Sequence, residues 1–214
     1  MEKQTAIIFD LDGTLWDSAK EVAESWELEG RKVISPSFRF TEADSRAQMG
    51  KTMDEIVDSI LPGESRERKA EVGQALFKAE DEYLLTHPGK LYPKEEETLQ
   101  RLLDLGYRLY IVSNCQFGYI ETFLPLVKPS TFLDHMCFDD TKKSKDVTIR
   151  ALMDRDGIQK AVYIGDTHKD EESARKAGIP FIHAAYGFGK AVAPDDVAND
   201  FPGIVDCLNR LRLP

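Results

Sequence analysis

The sequence predicts an α/β protein, a parallel sheet flanked by helices, with a second and helical unit inserted after the first strand. Three observations carry this. Five short apolar runs are spread along the chain, and helix-patterned segments lie between most of them. Four of the five runs end in polar, mostly acidic residues. The connection from the first run to the second is about three times the ~30 residues that a whole strand–helix–strand unit needs.

The first run, Ala6 to Phe9, ends at Asp10. It is apolar at consecutive positions, as expected of a strand buried on both faces. The long connection follows. Its extra part, Trp16 to His87, is rich in charge and mostly helical in pattern. Thr52 to Leu61 reads as a helix stopped by Pro62-Gly63. Val72, Leu76, Ala79 and Tyr83 form an amphipathic stripe at helical spacing. His87-Pro88-Gly89 closes the insertion, which sets the expected boundaries at 16–88 for the helical unit and 1–15 with 89–214 for the sheet domain. Leu99, Leu102 and Leu103 mark a helix before the second run, Tyr107 to Val112, which ends at Ser113-Asn114. The third run, Met136 to Phe138, ends at Asp139-Asp140. Val147, Ala151 and Leu152 mark the helix before the fourth run, Ala161 to Ile164, which ends at Gly165-Asp166. Ser173 to Ala177 reads as a helix stopped by Gly178 and Pro180. Phe181-Ile182 is the fifth run, and Ile204 to Leu211 a last helix.

A chain of 214 residues fits one domain, or one domain with an insert. Its 38 acidic against 28 basic side chains give a net charge of −10, which argues against a nucleic-acid or anionic-membrane binder. Hydrophobic residues at 42% and charged ones at 31% describe a globular protein and exclude disorder. No apolar run approaches the roughly 18 residues of a membrane span. Met1 to Thr5 carries no secretory pattern, and Cys115, Cys137 and Cys207, an odd set without paired spacing, read as free thiols. Composition alone therefore gives the expectation of a soluble, acidic, cytoplasmic protein.

In open parallel sheets, ligands bind beyond the carboxyl ends of the strands. Asp10, Asp12, Ser113, Asn114, Asp139, Asp140 and Asp166 all come to that edge in this reading. Close carboxylates repel, by about 4 kcal/mol for two charges 4 Å apart at an effective dielectric of 20. Collecting Asp10, Asp12 and Asp166 therefore calls for a cation. An all-oxygen set with room for water suits Mg²⁺.

Asp10-Leu11-Asp12-Gly13-Thr14-Leu15 resembles the first motif of the haloacid dehalogenase superfamily, and Val112-Ser113-Asn114 its second. A lysine at a helix start resembles the third, and Gly165 to Asp170 the fourth, in matching order. The resemblance spans about residues 5 to 190 and is closest to phosphoglycolate-phosphatase-like members. It implies a Rossmann-like parallel sheet core with an inserted helical cap domain, and a Mg²⁺-dependent phosphatase, a monomer or homodimer acting on a small phosphorylated metabolite. The acid at Asp12 separates phosphatases and mutases from dehalogenases.

Phosphate monoesters are inert in water, and a carboxylate attacking the dianion meets about 8 kcal/mol of repulsion. Mg²⁺ and a lysine offset it. Asp10 is the expected nucleophile, forming an aspartyl-phosphate and sharing the metal. Asp12 is the expected general acid, then base, and the resemblance implies that its backbone carbonyl also reaches the metal. Ser113 and Asn114 are expected to bind the phosphoryl oxygens. Lys142, Lys143 and Lys145 compete for the lysine role. Ser144 reads as an N-cap, which puts Lys145 in the first helical turn, where a cation is costly unless it faces an anion; this favours Lys145. Asp166 is the expected direct metal ligand. Asp170 would hold a metal-bound water or orient the lysine.

Other residues read more plainly. Cys115, without a recognisable base, reads as a packed thiol, His168 as a solvent-facing loop residue, and Trp16 and Trp26 as hinge and cap core. Tyr186 to Gly189 reads as a tight loop near the site. Arg46, Gln48 and Lys51 are candidate substrate contacts from the insertion, which would close over the crevice and set substrate choice. A β-phosphoglucomutase-type mutase would need a cap histidine, and Ser18 to Ser25 has none. A phosphonate hydrolase would need a Schiff-base lysine, and nothing singles out Lys20 or Lys51. A non-catalytic phosphate sensor is disfavoured because every expected catalytic position is filled.

Overall fold

The structure, a computed structural model, describes residues 5–212; Met1 to Gln4, on which most of the leader reading rests, lie outside the described residues. Strand β1 (Ala6–Phe9) is followed by the two-residue strand β2 (Trp16–Asp17) and by helices α1 (Ala19–Val33), α2 (Glu42–Gln48), α3 (Met53–Ile60) and α4 (Arg66–Leu84). Strand β3 (Lys90–Leu91) leads to α5 (Glu95–Asp104), β4 (Arg108–Val112), α6 (Tyr119–Phe123), a 3₁₀ turn and β5 (Asp134–Met136). The chain ends with α7 (Phe138–Thr141), α8 (Lys145–Arg155), β6 (Ala161–Gly165), α9 (His168–Ala177), β7 (Phe181–Ala184), β8 (Asp196–Ala198) and α10 (Gly203–Arg210).

Six strands form one sheet in the order β5-β4-β1-β6-β7-β8, every neighbouring pair parallel. Along β1, Ile7 and Phe9 enter one buried cluster and Ala6 and Ile8 the other. Leu109 and Ile111 alternate with Tyr110 and Val112 in the same way, and Val162 and Ile164 with Ala161 and Tyr163. Both faces are therefore dry, which is why these strands are uninterrupted apolar runs. Ile149, Leu152, Ala174 and Ala177 of α8 and α9 cover one face; Leu99 and Leu102 of α5 and Ile204 and Leu208 of α10 cover the other.

Helices α1–α4 extend the cluster that holds Ile7 and Phe9. Trp26 stacks on Phe40, ring centroids 5.2 Å apart, and lies 6.1 Å from Phe77. Thr41 with Asp44 and Thr52 with Glu55 make reciprocal capping boxes that start α2 and α3. Both links to this helical layer meet in an antiparallel ribbon, Trp16 opposite Leu91 and Asp17 opposite Lys90. Trp16 packs edge-on against Tyr119 and Phe123.

Three expectations change. The third strand is Asp134–Met136, and Phe138 begins a helix, because the Asp140 carboxylate accepts the Cys137 N–H and turns the chain there. Strand β8 has no apolar run to announce it; it lies on the sheet edge, pairs through its backbone with β7 alone, and leaves Val197 exposed. On α4 the buried stripe steps from Leu76 to Glu80 and Leu84, leaving Ala79 and Tyr83 only half-buried.

Candidate active site

Strand β1 lies between β4 and β6, pairing Phe9 with Ile111 on one side and Ile164 on the other. The chain leaves β1 toward β4 and β5, then crosses back to β6. The carboxyl ends of β1, β4 and β6 therefore flank the reversal of strand order, where such sheets open a crevice. Asp10, one residue beyond β1, donates its N–H to Ile164 O at 2.8 Å. Ser113 follows β4 and Asp166 follows β6, so three of the candidates sit side by side.

Asp10, Asp166 and Asp170 bring one ligand oxygen each within 4.8 Å of one another, all three buried. Lys145 stands among them, 3% exposed, its ammonium 2.9 Å from Asp10 Oδ1 and 2.6 Å from Asp170 Oδ1. Of the three candidate lysines only this one reaches the acids. Lys142, with φ of 53°, pairs with Asp139, and Lys143 is exposed. Burial pulls the Lys145 ammonium down, but Asp10 and Asp170 outweigh it and hold it well above the usual lysine range. Burial and Asp170 push the Asp10 carboxyl up to about 7, against the pull of Lys145. Burial, with Asp170 and Asp10, also pushes Asp166 well above the carboxylate range, although the N–H groups of Phe188 and Gly189 donate to its Oδ2 at 2.7 and 3.0 Å.

With all three acids ionised, the cluster would exceed its one ammonium by two negative charges, and Asp166 Oδ1 is buried without any hydrogen-bond partner. A divalent cation suits both facts: oxygen donors, an excess charge of two, and an orphaned acceptor aimed into the cluster. Gly13 is required here. Its φ is +76°, and a Cβ would collide with the Asp166 carboxylate.

The Asp12 carboxylate belongs to a different network, and Asp170 fills the place in the cluster expected of it. Asp12 Oδ1 accepts hydrogen bonds from Trp16 Nε1 at 2.8 Å, Ser18 Oγ at 2.5 Å and Tyr119 Oη at 2.8 Å. Burial pushes its carboxyl up against these donors, toward the protonated form. Nothing in the sequence flagged Tyr119, which lies on α6, far along the chain. Asp170 is oriented by Thr167, whose N–H and hydroxyl donate to its Oδ2 at 3.0 and 2.6 Å. That partnership was readable as a capping box.

Ser113 is buried and Asn114 half-buried; both line the cavity between the sheet edge and the helical layer. Asn114 Nδ2 donates to Gly50 O at 3.2 Å, so the loop after α2 rests on the second motif. Gln48 and Lys51 line the cavity; Arg46 does not, because it pairs with Asp17 at 2.8 Å and lies 4.6 Å over the Phe188 ring. Asp139 and Asp140 also stay out of the cavity, against expectation. They serve local turns, accepting N–H bonds from Phe117 and Cys137. Cys115 is a buried thiol pushed well up by burial, and His168 is half-exposed beside Glu171.

A family model for haloacid dehalogenase-like hydrolases matches residues 7–184. A phosphoglycolate phosphatase of Aquifex aeolicus (strain VF5) is 29% identical over 189 residues, 86% of each chain. One from Aliivibrio fischeri (strain ATCC 700601 / ES114) is 27% identical over 225 residues, 96% of this chain and 97% of its own. In fold, CbbY from Rhodobacter sphaeroides in complex with phosphate superposes with a TM-score of 0.82 at 15% identity, over 96% of this chain and 99% of that one. The chain belongs to the haloacid dehalogenase-like hydrolase family. Within it, the chain is a phosphatase similar to the phosphoglycolate-phosphatase members. Among the described residues no helix is long and apolar enough to cross a membrane.

Proposed function

We propose that this enzyme hydrolyses a small-molecule phosphate monoester through a phosphoryl group carried on Asp10, with Mg²⁺ as cofactor and residues 16–88 as the cap. One observation carries the reading: a buried carboxylate at the end of the central strand, paired with a buried lysine and set in an acid cluster with an unfilled acceptor.

Ser113, Asn114 and Lys145 would bind the non-bridging oxygens, leaving phosphorus facing Asp10. A carboxylate oxygen of Asp10 attacks phosphorus, and the bond from phosphorus to the leaving oxygen breaks. Asp12 gives that oxygen a proton, so an alcohol departs. The resulting Asp12 carboxylate takes a proton from water as the water oxygen attacks phosphorus. The bond to Asp10 breaks, and inorganic phosphate is released. Asp170 holds the Lys145 ammonium in place throughout. Asp10 and Asp166, with the Asp12 carbonyl, would hold Mg²⁺, which would supply positive charge to the phosphoryl oxygens.

The test is phosphate release from an aryl phosphate with and without Mg²⁺, and an acid-quenched single turnover. The expected result is metal-dependent turnover and a phosphoryl mass increment on the peptide containing Asp10. Asp10→Asn should lower kcat by about a thousandfold or more in a folded protein. Retained turnover in that variant overturns the assignment.

A further inference from the structure

Resting on the reading of Asp166 as a metal ligand, we infer that Arg46 is a positioning residue for that ligand: through the ring of Phe188, helix α2 of the insertion steadies the loop that orients the Asp166 carboxylate. The bridge runs outward from the acid cluster. Asp166 Oδ2 accepts the N–H groups of Phe188 and Gly189 at 2.7 and 3.0 Å, and Oδ1 is left without a partner. Where Oδ1 points therefore depends on where two backbone N–H groups stand, and such outer partners tune a metal site. The loop that carries them is pressed on the acid: a Cβ at Gly187 would collide with Asp166 Cβ and with Gly13 O. Two side chains anchor this loop. Tyr186 Oη donates to Thr14 O at 2.9 Å, within the sheet domain. The Phe188 ring is held from the insertion, with the Arg46 guanidinium 4.6 Å from its centroid.

The guanidinium is itself held in place. Its Nη2 donates to Asp17 Oδ2 and to Glu42 Oε1, both at 2.8 Å, and its Nε to Glu42 Oε1 at 3.0 Å. A planar guanidinium can accept this fixing at its edge and still present a face to an aromatic ring, which an ammonium cannot do. Arg46 does not line the cavity, so contact with substrate does not account for its place. Asp17 belongs to the ribbon that links the insertion to the sheet domain. Helix α2, that ribbon and the Asp166 loop therefore meet at one side chain. The coupling is reciprocal: an insertion seated in this way tightens metal binding, and bound metal favours the seated insertion.

Mn²⁺, which takes the same kind of oxygen site as Mg²⁺, is the probe, and the paramagnetic signal of the free ion reads its binding to the full chain without substrate. Arg46→Gln should raise Kd for Mn²⁺ by about threefold or more, the worth of one cation–ring contact. Phe188→Leu, which keeps the N–H and loses the ring, should do the same. The double variant should bind no more weakly than the weaker single variant, because both changes break one bridge. A merely structural Arg46 would lower the melting temperature of the metal-free variant and leave Kd as in the parent. That result overturns the inference, as do losses that add in the double variant. If Phe188→Leu does not fold, Arg46→Gln alone decides; the Arg46 side chain is 39% exposed, so its loss leaves the core intact. Mn²⁺ bound alike by the parent and by Arg46→Gln defeats this inference only. A parent that binds no Mn²⁺ defeats the metal reading and this one with it.

Discussion

Lys145 shows how one side chain joins several demands. It starts α8, where the helix dipole disfavours a cation, and it is buried, which disfavours it again. Two carboxylates at 2.9 and 2.6 Å reverse both penalties. Lys145→Met leaves Asp10 and Asp170 buried without their cation. The expected cost without added metal is about 3–5 kcal/mol, read from denaturant unfolding. The expected loss in kcat is about a hundredfold to a thousandfold. Unchanged unfolding would mean that the acids have another counter-charge. A second prediction concerns Tyr119, one of three donors on Asp12 Oδ1. Tyr119→Phe should lower kcat for an alkyl phosphate by about threefold to tenfold, the worth of one hydrogen bond. A nitrophenyl phosphate, whose leaving group needs no proton, should be affected less. Equal losses on both esters would place Tyr119 outside proton transfer. Lys145 was legible from the sequence because the argument was local, a cap followed by an unfavourable charge. Tyr119 was not, because only the folded chain brings α6 to Asp12.

At the scale of elements, N-caps tie stability to the site. Thr167 caps α9 by accepting the Asp170 N–H at 3.2 Å, while its own hydroxyl holds the Asp170 carboxylate at 2.6 Å. Thr167→Ala removes both contacts. The helix should lose about 1 kcal/mol, which lowers Tm by about 2–4 °C in a chain of this size. kcat should fall as well, because Asp170 then orients Lys145 less tightly; Thr167→Ser should restore both. A normal Tm with normal kcat would show the cap to be dispensable. The central strands were legible because burial on both faces writes itself as a continuous apolar run. Strand β8 was not legible, since an edge strand of Asp196, Val197 and Ala198 is held by backbone pairing. The misplaced third strand has the same origin: Cys137 and Phe138 are apolar, yet a capping contact from Asp140 outweighs their pattern.

For the whole molecule, the insertion was visible in the length of one connection, but its attachment to the sheet was not. That attachment includes contacts between distant segments, Lys169 with Glu55 at 3.0 Å and Asn114 Nδ2 with Gly50 O at 3.2 Å, and a buried cluster shared with the sheet. Stability as a whole should also carry a pH signature from acids buried outside the catalytic cluster. Glu95, at the start of α5, is 1% exposed. Its Oε2 accepts the Tyr92 N–H at 3.0 Å, and its Oε1 is buried without a partner. Burial pushes this carboxyl up to about 9, well above its value in an unfolded chain. The native state then holds a proton that the unfolded state releases, so raising the pH favours unfolding. Its contribution is complete below about pH 4.5 and is lost progressively as pH rises toward about 9, at no more than about 1.4 kcal/mol per pH unit. Glu95→Gln keeps the acceptor for Tyr92 and removes the titration. Unfolding by denaturant at several pH values should therefore find the variant gaining on the parent from pH 5 to pH 8, overtaking it at the alkaline end. Parallel curves for the two proteins would mean that Glu95 ionises as freely in the fold as in the unfolded chain.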